Sequence, residues 1–500
     1  MNKLIFTLVV LLCAQYCLSQ NLPQEAALAD VDEFVHLLET QSSYYQYSGY
    51  DFENRFRQLK AEIASQDSIP AHVLAFQIEK IVSETIDRHA SVRAEDFDED
   101  EIELYDLHLP FAVAPQNGNV AALIMDRSTK QYRYYEEEYP FLKSINGLPV
   151  VDFLEQYAYR RKTAPAAAKL YDGVKDLRDI GELFFKQGEL TQKEIDLVFT
   201  NGKTDKVMTL PLSEKKHRWV NVGHTQDVTL LRAMYLDEPF EYNKLDKWLA
   251  DSIASLQLPA MFSYDDFPDF ELYLQSTMEK YKNAQALILD LRGNGGGTRD
   301  ILHTLAGYIV PAEQSPWVAN VAHIRNDQQL NEDIESMSAR YLYSYYSEHL
   351  SDDDREAIDA FEQNFQPERA FNPKKFSEPF YMVLNSNGTP IKCPVYILVD
   401  EQSFSAASVF TSAFKGLKNV KIVGVTTNGS SGRSEVFHLS HSNIRIKLST
   451  MLSFQRNGKT LDGNGTTPDL LIERDEQQTL GQGDTQLERL ISSIKEHLRT

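Results

Sequence analysis

The chain has 500 residues, 42% hydrophobic and 25% charged, which is enough apolar material for two or three domains with buried cores rather than one. Its 73 acidic against 50 basic residues give a formal net charge of −23. That balance argues against nucleic acid or an anionic membrane as a partner, because phosphate groups are bound through clustered Lys and Arg.

Lys3, the apolar run Leu4 to Ala14 and Cys17-Leu18-Ser19 have the charged start, short apolar centre and small-residue exit of a secretory signal peptide. Residues 1–20 are therefore expected to be removed on export to the periplasm or the extracellular space. The run is too short to span a bilayer, and no later apolar run reaches that length, so no integral membrane segment is expected in the mature chain. A lipid anchor is disfavoured because the residues before Cys13 and Cys17 are not small. Removal of the leader leaves Cys393 alone, and no intramolecular disulfide can form.

Residues 21–105 read as a helical domain, with Phe34, Leu37 and Leu38, then Leu59 and Ile63, then Val73 to Val82 on successive apolar faces. It runs into Asp87-Arg88-His89-Ala90-Ser91-Val92, where helix gives way to an extended piece with His89 at the switch. A histidine there serves either chemistry or the C-terminal helix dipole. The acidic run Glu95 to Glu103 reads as a solvated linker.

Residues 106–215 are dominated by short β-like runs: Leu109 to Val113, Val120 to Met125, Phe141 to Val150, and Ile195 to Phe199 joined through Asn201-Gly202 to Val207 to Leu210 as a hairpin. Ile145-Asn146-Gly147-Leu148-Pro149-Val150 followed by the helix-like Val151 to Tyr157 resembles the strand, turn and helix of PDZ domains, which bind peptide tails by strand addition. A β-rich spacer without a groove is the alternative, with Tyr132 to Tyr139 as an inserted loop in either case.

Residues 216–500 alternate strands with helices. Ala284 to Asp290 is a buried strand, Gly293-Asn294-Gly295-Gly296-Gly297 a glycine-rich turn, and Arg299 to Tyr308 a helix. An acidic, tyrosine-rich insertion, 326–375, has the look of a lid. Pro394 to Asp400 is a second buried strand, Glu401 to Ser405 a tight connection, and the small residues from Ala406, with Ser408, Val409, Phe410 and Phe414 at helical spacing, a helix. Ser405 sits at the junction, beside unpaired N–H groups and the positive end of the helix dipole, where an acyl-transfer oxyanion would be stabilised. The same position suits an ordinary N-cap. Val420 to Val425 and Ile444 to Leu448 read as strands, Leu461 to Asp469 as a loop, and Thr485 to Leu498 as a closing amphipathic helix.

A dinucleotide-binding reading of the glycine turn fails, because Thr298 stands where the third glycine belongs. A nucleophile-elbow esterase is disfavoured because Ser403 and Ala407, rather than glycines, flank Ser405. His438 and His441 have no third ligand nearby, so neither metal nor cofactor is expected.

Taken in order, Leu289-Asp290-Leu291-Arg292-Gly293-Asn294-Gly295-Gly296-Gly297, Val399 to Ala407, and Asn464-Gly465-Thr466-Thr467-Pro468-Asp469 resemble the carboxy-terminal-processing (tail-specific) and tricorn-core family of serine peptidases. The resemblance implies an α/β multidomain protein with an N-terminal helical domain, a PDZ-like domain and a crotonase-like β-β-α catalytic domain, acting on an extended peptide or unfolded protein. It puts Ser405 on the nucleophile and the N–H groups of Ala406 and Gly296, or Gly295, on the oxyanion hole. The processing branch uses a lysine in a turn that here reads Asn428-Gly429-Ser430-Ser431-Gly432-Arg433 and has none; Ser430 is no base and Arg433 stays protonated. Asp87-Arg88-His89 is similar to the Asp-Gly-His motif of the tricorn-like branch. In that branch His89 is the base and Asp462 the carboxylate that holds its tautomer; an Asp-Gly turn is the plainer role for Asp462. The alternative is a non-catalytic member of the fold that binds peptides or apolar ligands. No motif specifies an oligomeric state.

Overall fold

The structure, a computed structural model, describes residues 21–95, 106–158, 162–189, 192–221, 241–250, 252–325 and 335–499. The expected signal peptide, nearly all of the acidic linker and the start of the acidic insertion lie outside the described residues.

The first helices are α1 (Gln24–Gln41), α2 (Phe52–Ala64) and α3 (Ala71–Val82). In α2 the buried residues Phe52, Phe56, Leu59 and Ile63 recur at helical spacing, and the Asp51 side chain caps its start by accepting from the Asn54 amide. Nine residues beyond α3 the chain enters a short strand, β1 (Ser91–Ala94). Phe34, Phe56, Leu74 and Ile78 share one core with Ile444, Ile446 and Leu448, so strands from near the C-terminus cover the helical layer.

Residues 112–211 form an antiparallel sheet whose order runs from Asp205–Pro211 through Glu194–Thr200, Phe141–Ile145 and Asn119–Met125 to Ala112–Gln116. The Asn201-Gly202 hairpin joins the first two strands, with Thr200 opposite Asp205. Tyr132–Tyr134, read from sequence as part of a loop, is a short strand paired with Leu123 to Met125. The edge strand Ala112–Gln116 is buried throughout and contains Pro115, which has no N–H to offer an added strand. Its Val113 packs in one core with Val174 and Leu177 of the helix Ala166–Leu177. The opposite edge strand, Asp205–Pro211, is largely exposed.

A six-stranded sheet runs in the order Asp246–Ala250, β2 (Ile253–Gln257), β3 (Ala286–Asp290), β4 (Val395–Val399), β5 (Val420–Gly424) and Leu470–Leu471. All neighbours from β2 onward are parallel. Alternation sorts its residues between two cores. Leu287, Leu289, Val395, Ile397 and Val399 face one, which includes α4 (Asp300–Ile309) and α5 (Ala406–Phe414). Ile288, Tyr396, Leu398 and Val423 face the other, where Leu490 and Ile494 of the last helix close the layer. The described part of the acidic insertion packs rather than hangs free: Leu350, Ile358 and Phe361 share a cluster with Val318, Val321 and Tyr381. Finally β6 (Ser434–His438) and β7 (Ile444–Ser449) form a three-stranded sheet with β1. Because β3 and β4 are parallel and in register, the loops after them emerge side by side at their carboxyl ends.

Gly424 ends β5 at φ +115°, and a Cβ there would lie 2.0 Å from the Val399 carbonyl oxygen. Gly424→Ala is expected to cost about 2–4 kcal/mol, from backbone strain and an unrelievable clash between adjacent strands. Chemical denaturation measures it, with Gly118→Ala, where nothing lies within 4 Å of the added atom, as the control that carries the strain term alone.

Candidate active site

Ser405 has φ +51° and ψ −123°, a conformation that costs a non-glycine residue about 1–3 kcal/mol. The plain N-cap reading is corrected here: the Ser405 side chain caps nothing in α5. Its Oγ instead lies 3.2 Å from His89 Nε2. The junction is held from both sides. The Phe404 amide donates to the Asn294 carbonyl at 2.9 Å, and the Ser405 amide donates to Ser430 Oγ at 2.6 Å. Asp400 Oδ1 accepts from the amides of Gly293 and Gln402, each at 3.0 Å, which ties the loop after β3 to the loop after β4.

Gly296 packs directly on the serine. A Cβ added there would fall 2.6 Å from Ser405 Cβ and 2.9 Å from the Phe404 carbonyl, so only glycine fits. The Gly296 amide, expected in the oxyanion hole, is spent on Asn294 Oδ1 at 2.8 Å in an Asx turn. That expectation is corrected. Of the three expected donors, Gly295 and Ala406 are the ones whose N–H groups have no acceptor among the described residues.

His89 lies seven residues beyond the end of α3, so it does not complement that helix's dipole. It is held by the chain around it. Asp87 Oδ1 accepts from the amides of His89 (2.9 Å) and Ala90 (3.1 Å) and from Ser449 Oγ (2.7 Å), while Asp87 Oδ2 accepts from the Ser449 amide (2.7 Å). The Phe404 ring lies against the imidazole at 4.8 Å between centroids. The Gly432 amide donates to His89 Nδ1 at 3.3 Å. With Nδ1 accepting, the neutral ring carries its proton on Nε2, facing Ser405, so accepting the serine proton requires the other tautomer.

Asp462 does not touch the imidazole, which corrects the role that the resemblance implied for it. Fully buried, it accepts from the Arg88 amide (3.0 Å) through Oδ1, and from Tyr44 Oη (3.0 Å) and Ser431 Oγ (2.6 Å) through Oδ2. It holds the residue before His89 and the loop that meets Nδ1. Arg88 is also fully buried, and its guanidinium reaches Asn428 Oδ1 at 2.7 Å and Asp172 Oδ2 at 3.0 Å. Sequence reasoning missed Tyr44, Asn428, Ser430 and Ser431, and treated Asn428–Arg433 only as a turn without its lysine. Hydroxyl side chains 418 and 31 positions from Asp462 carry no spacing signal. Among the described residues no group of three or more His, Cys, Asp or Glu side chains could hold a metal ion.

Residues 252–472 match the family model described as Peptidase family S41. Among solved structures, mature CPAF complexed with lactacystin superposes with a TM-score of 0.63 at 15% identity, covering 95% of this chain and 98% of that chain. Mature CPAF gives the same values. At that identity the likeness extends to the fold.

Burial, with the neighbouring Asp87 charge second, pushes the Asp462 carboxyl up to about 7. An unfolded aspartate titrates near 3.9, so between roughly pH 4 and 7 the folded chain holds a proton that the unfolded chain has lost, and stability falls as pH rises through that window. Asp462→Asn is expected to flatten this fall: its Tm relative to the parent should be higher at pH 7.5 than at pH 4.5. Calorimetry at the two values checks it, and an unchanged difference would remove Asp462 from the linkage.

Proposed function

We propose that the chain is an exported serine peptidase of the S41 family that hydrolyses extended or unfolded polypeptide, with Ser405 as nucleophile and His89 as general base. The observation that carries this reading is the 3.2 Å contact between Ser405 Oγ and His89 Nε2, made on a strained strand-to-helix turn at the carboxyl ends of two parallel strands. The family match over 252–472 supports a peptidase and hence a peptide or protein substrate.

In this reaction the imidazole, in its Nδ1–H tautomer, takes the Ser405 proton as Oγ adds to the scissile carbonyl carbon. The Ala406 and Gly295 N–H groups stabilise the resulting oxyanion, aided by the N-terminus of α5. The imidazolium then protonates the departing amine, and water releases the acyl group by the same route in reverse. Asp87 and Asp462 are positioning residues, the first through the His89 amide and the second through the Arg88 amide.

A second reading, a peptide- or apolar-ligand-binding protein without catalysis, draws on the Gly432 N–H at Nδ1, which leaves the serine unactivated in this arrangement. A fluorophosphonate probe separates the two. The peptidase should gain one adduct on Ser405; Ser405→Ala should gain none, and His89→Ala should react about 10²–10⁴-fold more slowly. The double variant should be no worse than the worse single one, because the two groups act as a unit. Absence of labelling together with absence of hydrolysis would establish the binding reading. Export is tested by the N-terminal sequence of protein recovered outside the cytoplasm, expected to begin near Gln20 or Asn21.

The loop in place of the lysine turn should also matter. Ser430→Ala removes the acceptor of the Ser405 amide. It is expected to lower kcat about tenfold or more with little change in KM, since it loosens the nucleophile without touching bound peptide. Equal kcat in variant and parent would count against this brace.

A further inference from the structure

Behind His89 stands a fully buried carboxylate, Asp462, with which no cation pairs among the described residues. Three donors reach it: the Arg88 amide at Oδ1 (3.0 Å), and the hydroxyls of Tyr44 (3.0 Å) and Ser431 (2.6 Å), both at Oδ2. The Arg88 guanidinium is turned to Asn428 and Asp172, and Arg433 of the neighbouring loop to Ser336, Thr450 and Glu435. Glu368 binds Thr460 and Asn464, on either side of Asp462 in the chain. Burial first, then the Asp87 charge, raises the Asp462 carboxyl; the hydrogen bonds from Ser431, Arg88 and Tyr44 oppose that rise by favouring the charged form.

Of these donors Tyr44 comes from farthest along the chain, in the connection between α1 and α2 and outside the residues 252–472 that match the family. That connection is tied to the histidine's other supports. Ser42 Oγ accepts from the Tyr44 amide at 3.2 Å, and the Ser43 amide donates to the carbonyl of Ser449, the residue that binds both oxygens of Asp87, at 2.9 Å. The buried Tyr44 ring shares a cluster with Ile86, the residue before Asp87, and with Leu452 and Phe454. One side chain thus serves both flanks of Asp87, through its ring in the cluster with Ile86 and through its hydroxyl on the carboxylate that holds the Arg88 amide. Burial, then the charges of Asp462 and Asp87, hold the phenol well above its ordinary value, so it stays protonated and is a standing donor. An ionised Asp462 accepts from both hydroxyls and so holds Ser431, and with it the Gly432 amide at His89 Nδ1. A protonated Asp462 brings a fourth proton to a place where three donors already point inward.

We propose that Tyr44 is a positioning residue of the Ser405–His89 pair: its hydroxyl keeps Asp462 charged and aimed, and Asp462 in turn fixes the Arg88 amide and the Ser431–Gly432 segment around His89. The effect on rate rests on the peptidase reading, whereas the effect on the Asp462 charge is measured without catalysis. In calorimetry on the purified protein, Tyr44→Phe keeps the ring and loses the donor to the charged form. Its Tm deficit against the parent should therefore grow from about pH 5.5, where folded Asp462 is protonated, to about pH 8.5, where it is ionised. In an Asp462→Asn background the same substitution should show a deficit that does not change with pH. A packing role alone gives a pH-independent deficit in both backgrounds. With the fluorophosphonate probe at neutral pH, Tyr44→Phe should label about tenfold or more slowly than the parent, and should cost little more once Asp462→Asn is present. Tyr47→Phe is the control: its ring lies 6.5 Å from that of Tyr44, no hydrogen bond joins its hydroxyl to Asp462, and its labelling should stay within about twofold of the parent. A pH-independent Tm deficit, labelling by Tyr44→Phe at the parent's rate, or fully additive losses with Asp462→Asn overturns the proposal. A parent that does not label removes the peptidase reading, and the calorimetric series then still decides whether Tyr44 holds the Asp462 charge.

Discussion

The site depends on one strained residue. Ser405 turns the chain from β4 into α5 through a left-handed backbone conformation, and the structure offsets that strain with contacts from two other loops. Asn294 receives the Phe404 amide, Ser430 receives the Ser405 amide, and Gly296 removes the Cβ that would otherwise strike the serine. The Asn294 and Gly296 contacts need the parallel register of β3 and β4, and the Ser430 contact that of β4 and β5, because only then do the three loops emerge at the same height. The sheet's hydrophobic pattern and the orientation of Ser405 are thus parts of one constraint.

The histidine is positioned by a different principle. Nothing regular holds residues 83–90. They are fixed by buried polar groups from five regions of the chain: Asp87 with Ser449 of β7, Asp462 with Tyr44 and Ser431, and Arg88 with Asn428 and Asp172. A buried polar network of this kind adds little net stability, since desolvation offsets much of its attraction. It does select one arrangement, because any other leaves charges buried without partners. The same logic applies to Arg292, fully buried between Asp290 at the end of β3 and Asp484 at the cap of the last helix, which locks that helix to the six-stranded sheet.

The shared core of the first helices with β6 and β7 supplies the scaffold for both principles. By packing α1–α3 against strands from the far end of the chain, the fold carries His89 across 316 positions to Ser405. It also sets the Asn428–Arg433 loop between the histidine and the serine. That loop braces the site, with Ser430 on the serine amide, Ser431 on Asp462 and Gly432 on the imidazole.

The sequence alone determined the features that have a short period or a local motif. Alternating and continuous apolar runs marked β3, β4, α5 and the last helix, the Asn201-Gly202 turn marked its hairpin, and strand–turn–helix order singled out Ser405 and the glycine loop. It misjudged Tyr132–Tyr134, whose polar neighbours hide a short strand. Only the tertiary structure decided how the polar residues are used. It directed the Gly296 amide to Asn294, moved Asp462 from the imidazole to the Arg88 amide, and brought Tyr44 and Ser430 to the site. The physical reason is that hydrophobic burial repeats along the chain and can be read from it. A hydrogen bond between residues hundreds of positions apart depends on angstrom-scale placement, which packing of the whole chain sets and no local stretch records.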